Sequence, residues 1–272
     1  MSHPDLTPLA PRRQITANLA RRDSMGPAYH VLTFDVPEGV DARPGQFTMV
    51  RGAEWGDAPL LPRPMSYLSG GRRPSILIKV VGDGTTRMAR AVPGEPFHLL
   101  GPLGNTWPEV TEGKRPVLVA GGVGVAPLLY LARSLAPHGV RPIALYGGRS
   151  ERDLPMHEEL AEVCDLHVTT EDGSRGERGR VTQLLPDLLS GDVEVFTCGP
   201  DRMMAAVAAL CAPREVRCIA SLETPMACGY GVCLGCPVKR AEGGYLYACM
   251  DGPCIDAASI DWGDGAAAGG AA

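Results

Sequence analysis

Residues 116–136 read PVLVAGGVGVAPLLYLARSLA, and this stretch decides the fold. Val117 to Ala120 is a β-branched, apolar run of the kind that fills a strand buried on both faces. It breaks at Gly121-Gly122-Val123-Gly124, and from Leu128 onward the apolar residues recur at helical spacing. Strand, glycine-rich turn and helix in that order open a parallel α/β unit, where a dinucleotide phosphate can rest on the free amides of the helix start. The turn is not a G-x-G-x-x-G fingerprint, so tight packing alone would also account for its glycines.

Working outward, the same alternation continues toward the carboxyl end. IALYGG (143–148), DLHVTT (165–170) and VEVFTCGP (193–200) are strand-like, while EELAEV (158–163) and MMAAVAALC (203–211) are helix-like. Strands alternating with helices imply a doubly wound parallel sheet, whose ligands gather outside the carboxyl ends of the strands. Gly147-Gly148-Arg149-Ser150 and Cys198-Gly199-Pro200 fall at such ends, beside the first glycine turn. Glu171-Asp172-Gly173-Ser174 fits an exposed loop better than a site. Toward the amino end the texture differs: YHVLTFDV (29–36), GQFTMV (45–50), SILIKVV (75–81) and PFHLLG (96–101) are short apolar runs punctuated by Gly and Pro, the pattern of an antiparallel β-barrel. The division expected is a barrel over 14–108, a parallel-sheet domain over 114–214, a small domain over 215–262 and a disordered tail over 263–272.

Two barrel segments have the chemistry to hold phosphate. Arg63-Pro64-Met65-Ser66 offers a guanidinium fork and a hydroxyl, and Gly82-Asp83-Gly84-Thr85-Thr86 offers glycine-freed amides at the start of a short helix. Taken singly, each is also an ordinary turn.

The sharpest chemical signal lies in 226–254, MACGYGVCLGCPVKRAEGGYLYACMDGPC. Cys228, Cys233 and Cys236 stand at C-x4-C-x2-C spacing and Cys249 follows, the plant-type pattern for a [2Fe-2S] cluster. Glycines 229, 231 and 235 let a loop wrap the cluster closely. A structural zinc site also takes four cysteines, but usually as two C-x2-C knuckles, and only one such pair is present. Cys254 is a further thiol within reach of the fourth position, whereas Cys164, Cys211 and Cys218 fall in apolar patterns as small core residues.

Composition bounds the rest. A chain of 272 residues with 44% hydrophobic and 21% charged residues builds its core without needing a metal, and a net charge of −5 leaves no footprint for nucleic acid. The amino terminus lacks the apolar core of a signal peptide, and glycines and Pro127 break the longest apolar run, so no membrane span is expected. Nine cysteines, four of them at ligand spacing, indicate a reducing compartment, with the cytoplasm as default. The six histidines show no ligand spacing, and His98 is expected to be a satisfied barrel residue. No carboxylate pair or nucleophilic triad is evident, so no catalytic side chain is assigned.

The order PGQF (44–47), RPMS (63–66), GDGT (82–85), GPLGN (101–105), GGVGVAPL (121–128), EDGSRG (171–176), CGP (198–200) and the cysteine loop resembles the ferredoxin-reductase-like flavoproteins. More narrowly, LETPMACGYGVCLGC (222–236) and CMDGP (249–253) are similar to the cluster loop of the electron-transfer subunits of dihydroorotate dehydrogenase B. The resemblance implies FAD in the barrel, with Arg63, Pro64, Met65 and Ser66 at its pyrophosphate and flavin edge and Gly82, Gly84, Thr85 and Thr86 on the phosphate side. It implies NAD as co-substrate over the sheet, with Gly122, Gly124, Ala126 and Pro127 lining the crevice and Cys198 and Gly199 near the nicotinamide. It implies a [2Fe-2S] cluster on Cys228, Cys233, Cys236 and Cys249. It also implies an FMN-containing dihydroorotate dehydrogenase catalytic subunit as partner in a heterotetramer, meeting this chain around Tyr230, Val232 and Leu234, which under a blander view merely roof the cluster. Departures from the pattern are Ala126 where a second proline is common, the extra Cys254, and a short interval before Cys249. Subunits of hydrogenases, sulfide-linked reductases and bifurcating transhydrogenases share the layout. A self-contained NAD(P)H oxidoreductase serving a diffusing ferredoxin and a zinc-stapled flavin-binding regulator are the remaining alternatives. Arg149 and Arg152 are candidates for gripping a 2′-phosphate, or plain helix-start charges.

Overall fold

The computed structural model describes residues 11–189 and 192–263. The amino-terminal part is a closed six-stranded barrel of β1 (Arg13–Ser24), β2 (Tyr29–Asp35), β3 (Phe47–Gly52), β4 (Arg63–Ser69), β5 (Ser75–Lys79) and β6 (Pro96–Leu103), with α1 (Asp83–Arg90) between the last two. Its order is β1-β2-β5-β4-β3-β6 with antiparallel pairing throughout, so no strand edge is left to recruit another chain. Alternation does the sorting: on β6, Phe97 and Leu99 point inward while His98 points out and meets the Thr16 hydroxyl at 3.1 Å. Phe34 and Phe97 meet edge to face at 5.5 Å inside the barrel.

The second part is a sheet of seven strands: β7 (Arg115–Gly121), β8 (Ile143–Gly148), β9 (Asp165–Thr170), β10 (Glu177–Arg178), β11 (Val193–Cys198), β12 (Cys218–Ser221) and, further along the chain, a returning strand at Cys254–Asp256. Helices α2 (Val125–Leu135), α3 (His157–Val163) and α4 (Asp201–Cys211) cover it. The chain runs outward from β7 through β8 to β9, then crosses back to β11 on the other side of β7. The carboxyl ends of β7 and β11 therefore flank the point where strand order reverses, the place where such sheets open a crevice. Val117 and Val119 pack on one face of the sheet and Leu118 and Ala120 on the other, which explains the uninterrupted apolar run.

The sheet runs across the division expected at 214/215. β12 continues the parallel order, and the chain then leaves the sheet for residues 222–253 and returns as a strand antiparallel to β12, with Ser221 opposite Cys254. The excursion carries the cysteine loop and a small hairpin, β13 (Pro237–Lys239) with β14 (Tyr245–Tyr247); the returning strand is β15 (Cys254–Asp256). Three residues with one polar member carry too little pattern to announce a strand. The expected tail, 263–272, lies outside the described residues apart from Gly263. Among the described residues no helix is long and apolar enough to cross a membrane.

Barrel and sheet are joined through α2. The Trp107 indole donates to the Pro127 carbonyl at 3.2 Å and packs edge to face on Phe196, while the Tyr130 hydroxyl donates to the Ala42 carbonyl of the barrel at 2.6 Å. Leu128 and Leu129 are fully buried in the same helix. Leu128→Ala is expected to lower the unfolding free energy by about 2–5 kcal/mol, seen as a lower urea midpoint with little change in slope.

Candidate functional site

A cavity of about 400 Å³ lies between barrel and sheet. Pro64, Met65 and Ser66 of β4, Leu77 and Lys79 of β5, Val81 and Thr85 line the barrel side; Val123 and Ala126 line the sheet side; Leu222 to Met226 and Pro253 close it. Of the residues singled out from sequence, the cavity thus brings together Pro64, Met65, Ser66, Thr85 and Ala126. Arg63 lies just outside the lining with its guanidinium over Gly84, so close that a Cβ there would come within 2.8 Å of Nη2. Gly82 and Thr86 stand at the start of α1. Thr85 Oγ1 accepts from the backbone N–H groups of Val81 and Gly82 at 2.9 and 3.1 Å and donates to the Gly82 carbonyl at 3.0 Å, and Thr86 Oγ1 donates to the same carbonyl at 2.9 Å. This small network holds the glycine turn against the helix.

The cavity fits a flavin dinucleotide by its own chemistry. One wall is apolar (Pro64, Leu77, Val81), Arg63 and the amino end of α1 supply cationic and N–H character for a pyrophosphate, and the buried Thr224 hydroxyl on the opposite wall lacks a hydrogen-bond partner among the described residues. A larger cavity of about 660 Å³ on the far side of the barrel, lined by Arg13, Glu38, Asp41 and Arg72, includes none of the candidate residues.

Gly122, Gly124 and Pro127 sit on the turn from β7 into α2. At Gly124 a side chain is impossible: a Cβ would lie 2.5 Å from the Cys198 carbonyl carbon and 2.7 Å from the Gly199 nitrogen. The turn after β7 therefore presses on the end of β11, and Cys198 and Gly199 meet Gly121 and Gly124 at the strand-order reversal, while Gly122 faces the Tyr29 hydroxyl. Pro127 is buried in α2 and gives its carbonyl to Trp107.

Cys198 is fully buried, with Sγ 3.9 Å from Glu223 Oε1. Burial first, then Glu223, push its thiol well above the ordinary range, so it stays protonated. Glu223 opens onto the cavity; desolvation by the surrounding protein, with Asp201 adding, pushes its carboxyl up against the opposing pull of Cys198 and Lys79. Lys79 Nζ lies 3.8 Å from Asp153 Oδ1 and 5.3 Å from the centre of the Tyr29 ring, and the Tyr29 hydroxyl donates to the same Asp153 oxygen at 3.1 Å. Burial and then Asp153 push the Tyr29 phenol far above its usual range. Tyr29 and Lys79 of the barrel are thereby tied to the turn after β8. Lys79, Asp153, Glu223 and Thr224 were not legible as site residues; the one available signal was a lone cation ending the apolar run SILIK.

Arg149 and Arg152 on the same turn are exposed. Residues 171–176 form a self-satisfied loop: Asp172 Oδ1 accepts from the Ser174 amide and hydroxyl, and Arg175 pairs with Glu151. They take no part in the cavity.

The four loop cysteines fall into two couples. Cys236 and Cys249 are buried with their sulfurs 3.2 Å apart, and the Cys249 amide donates to Cys236 Sγ at 3.5 Å. Cys228 is half-buried and Cys233 exposed, their thiols hydrogen-bonded to each other. Burial opposes ionisation of Cys228, but the amides of Cys233, Tyr230 and Val232 outweigh it and pull the thiol down to about 6. The Cys249 thiol is pushed up to about 12 by burial and by Cys236, so a bound metal would have to deprotonate Cys249. Among the described residues no three ligand side chains converge on a single ion position. Two couples side by side fit two bridged irons better than one tetrahedral zinc. Cys254 packs elsewhere, in the core with Trp107 and Cys198. Cys164, Cys211 and Cys218 are buried in the sheet and helix cores, as their pattern implied.

Two family models match the chain: the iron-sulfur cluster binding domain of dihydroorotate dehydrogenase B over residues 223–261 and an oxidoreductase NAD-binding domain over residues 118–209. The chain is 38% identical over 226 residues to the electron transfer subunit of dihydroorotate dehydrogenase B (NAD(+)) of Bacillus caldolyticus, covering 80% of this chain and 86% of that protein. It is 38% identical over 228 residues to the subunit of the same name from Caldanaerobacter subterraneus subsp. tengcongensis, covering 82% and 89%. Among solved structures it is similar to an NADH-dependent reduced ferredoxin-NADP oxidoreductase described for flavin-based electron bifurcation, with a TM-score of 0.80, 28% identity and 90% of each chain covered. The ferredoxin reductase of carbazole 1,9a-dioxygenase shares the fold at a TM-score of 0.68 and 18% identity, covering 77% of this chain and 68% of that one.

Replacing Thr85 with the isosteric Val strands the amides of Val81 and Gly82 and is expected to cost about 1–3 kcal/mol of stability. Added flavin should also elute from the variant more readily than from the parent on gel filtration. Equal retention would separate α1 from flavin binding.

Proposed function

The chain belongs to the family of dihydroorotate dehydrogenase B electron-transfer subunits, and from that premise we propose that it is the relay between a dihydroorotate-oxidising partner and NAD⁺ in pyrimidine biosynthesis. One observation carries the proposal. The segment that lines the cavity at Leu222 to Met226 continues within two residues to Cys228, so a flavin pocket and a cysteine quartet are built on one stretch of backbone. FAD held there interconverts one-electron and two-electron traffic, and a [2Fe-2S] cluster on the cysteines handles single electrons.

The residues of this chain serve binding and orientation. Arg63, Gly82, Gly84 and Thr86 hold the pyrophosphate side of FAD, with Thr85 fixing the turn that presents the amides, and Pro64, Met65 and Ser66 lie along its edge. Gly122 and Gly124 keep the crevice shallow enough for a dinucleotide to approach the cavity, with Ala126 and Pro127 forming the helix start beneath it. Cys198 and Gly199 border the nicotinamide position. Cys228, Cys233, Cys236 and Cys249 hold the irons. Tyr230, Val232 and Leu234 are exposed beside the outer couple and form the face for the FMN-containing catalytic subunit, two copies of each chain making a heterotetramer in the cytoplasm.

A second reading takes its support from the 28% identical NADH-dependent ferredoxin-NADP oxidoreductase: the same relay coupled to a ferredoxin rather than to dihydroorotate oxidation. Anaerobically purified chain is expected to contain iron and acid-labile sulfide in equal amounts with little zinc, and to pass electrons from NADH to artificial acceptors without oxidising dihydroorotate. Combined with its partner, it should reduce NAD⁺ at the expense of dihydroorotate. Activity with ferredoxin and none in the verified complex would favour the second reading; zinc in place of iron would reject both.

A further inference from the structure

Two side chains of this protein face both the cavity and the inner cysteine couple. Phe47 and Met226 line the cavity, and the same two residues pack with Cys236, Cys249, Met49, Leu103 and Ala248 in one buried apolar group. Phe47 also pairs with Ser66 across β3 and β4, which ties it to the flavin edge of the barrel. Met226 precedes the first ligand by two residues. Both residues thus belong at once to the lining of the cavity and to the apolar group that encloses the inner couple.

Their placement is fixed by close approach. A Cβ at Gly229, in the cysteine loop, would come 2.5 Å from Met49 Cγ and 3.0 Å from Leu103 Cδ1, so only glycine lets the loop settle this deeply on the barrel. On the other flank the Asn105 amide donates to the carbonyls of Asp251 and Cys254 and its oxygen accepts from the Cys254 amide, which holds the turn after Cys249 on the barrel. A dry, close-packed wall has no water to rearrange and few side-chain motions to change the separation.

Resting on the relay reading above, we propose that Phe47 and Met226 are the partition through which electrons cross between the cluster and the flavin, with the Cys236–Cys249 side of the cluster facing the flavin. Each crossing moves one electron and no atom: a ferrous iron becomes ferric and the flavin gains the electron. Two crossings accompany each two-electron reduction of NAD⁺, and the proton of the transferred hydride comes from solvent. Phe47 and Met226 are positioning residues; neither donates nor accepts a proton.

The test mixes the flavin- and iron-loaded chain anaerobically with NADH in a stopped-flow instrument and follows flavin bleaching and cluster bleaching as separate phases. Met226→Ala and Phe47→Leu are expected to slow the cluster phase relative to the flavin phase several-fold, because truncation leaves a cavity that loosens the separation the wall fixes. Met226→Leu, which conserves volume, should restore the ratio. Leu100→Ala, on β6, disturbs the edge of the same apolar group without touching the cavity or the Gly229 contact and should leave the ratio near that of the parent. The electron paramagnetic resonance line shape of the reduced cluster, which reports its ligands, should be the same in all four variants. Unaltered ratios in both Met226→Ala and Phe47→Leu, or an equal slowing in Leu100→Ala, would overturn the partition while leaving the relay intact. A parent protein without a reducible cluster would instead remove the relay itself.

Discussion

The antiparallel pairing of β15 with β12 is the constraint on which the rest depends. It brings the chain back to the strand it left, so the excursion over 222–253 is a closed loop pinned at both feet to one sheet edge. The Leu222 amide donates to the Pro253 carbonyl at 2.9 Å directly above the pairing, which draws the feet together. With its ends fixed, the loop has little freedom in where it lies, and the loop-closure entropy that an open insertion of this length would carry is already spent in folding the sheet. The barrel supplies the second surface. Asn105, at the end of GPLGN, reaches across to the backbone of 251–254 with three hydrogen bonds, and the Asn105 amide donates to the Gly252 carbonyl at 2.7 Å. Sheet, loop and barrel close into one body around the cavity.

That closure shapes the electrostatics. Lys79 faces the cavity from the barrel, Asp153 outside the lining holds Lys79 from the turn after β8, and Glu223 comes from the foot of the excursion. Desolvation raises the Glu223 carboxyl above its ordinary range, and the buried Cys198 thiol beside it stays protonated. Lys79 is half-exposed and held by Asp153, so its charge is directed rather than cancelled. A fixed cation at the edge of the cavity favours the gain of electrons by whatever the cavity encloses.

Much of this architecture was written in residue patterns. The run at 117–120 announced a strand buried on both faces because alternate residues feed two separate cores, and the period-two runs of the barrel announced themselves for the same reason. The four candidate thiols were legible from their spacing, but their division into couples was not: Cys228 meets Cys233 and Cys236 meets Cys249, across the C-x2-C interval rather than within it. What pattern does not carry is tertiary meeting. Glu223 lies in a polar phrase, Asp153 in a short turn, and Asn105 in a loop; each matters because of what stands opposite it, and nothing in the local sequence names that neighbour. β15 escaped for a different reason: its three residues owe their extended form to β12, not to their own propensity.

The asymmetry between the two cysteine couples follows from the same closure. The inner couple is buried because it lies between the hairpin of β13 and β14 and the barrel strands β3 and β6, where Ala248 gives its amide to the Cys236 carbonyl at 3.0 Å and Leu103 and Met49 fill the remaining space. The outer couple stays nearer solvent on the loop from Gly229 to Gly235, whose backbone turns its N–H groups toward Cys228. Low polarity on one side and amide donors on the other act in opposite directions on thiolate charge, one raising and one lowering its cost.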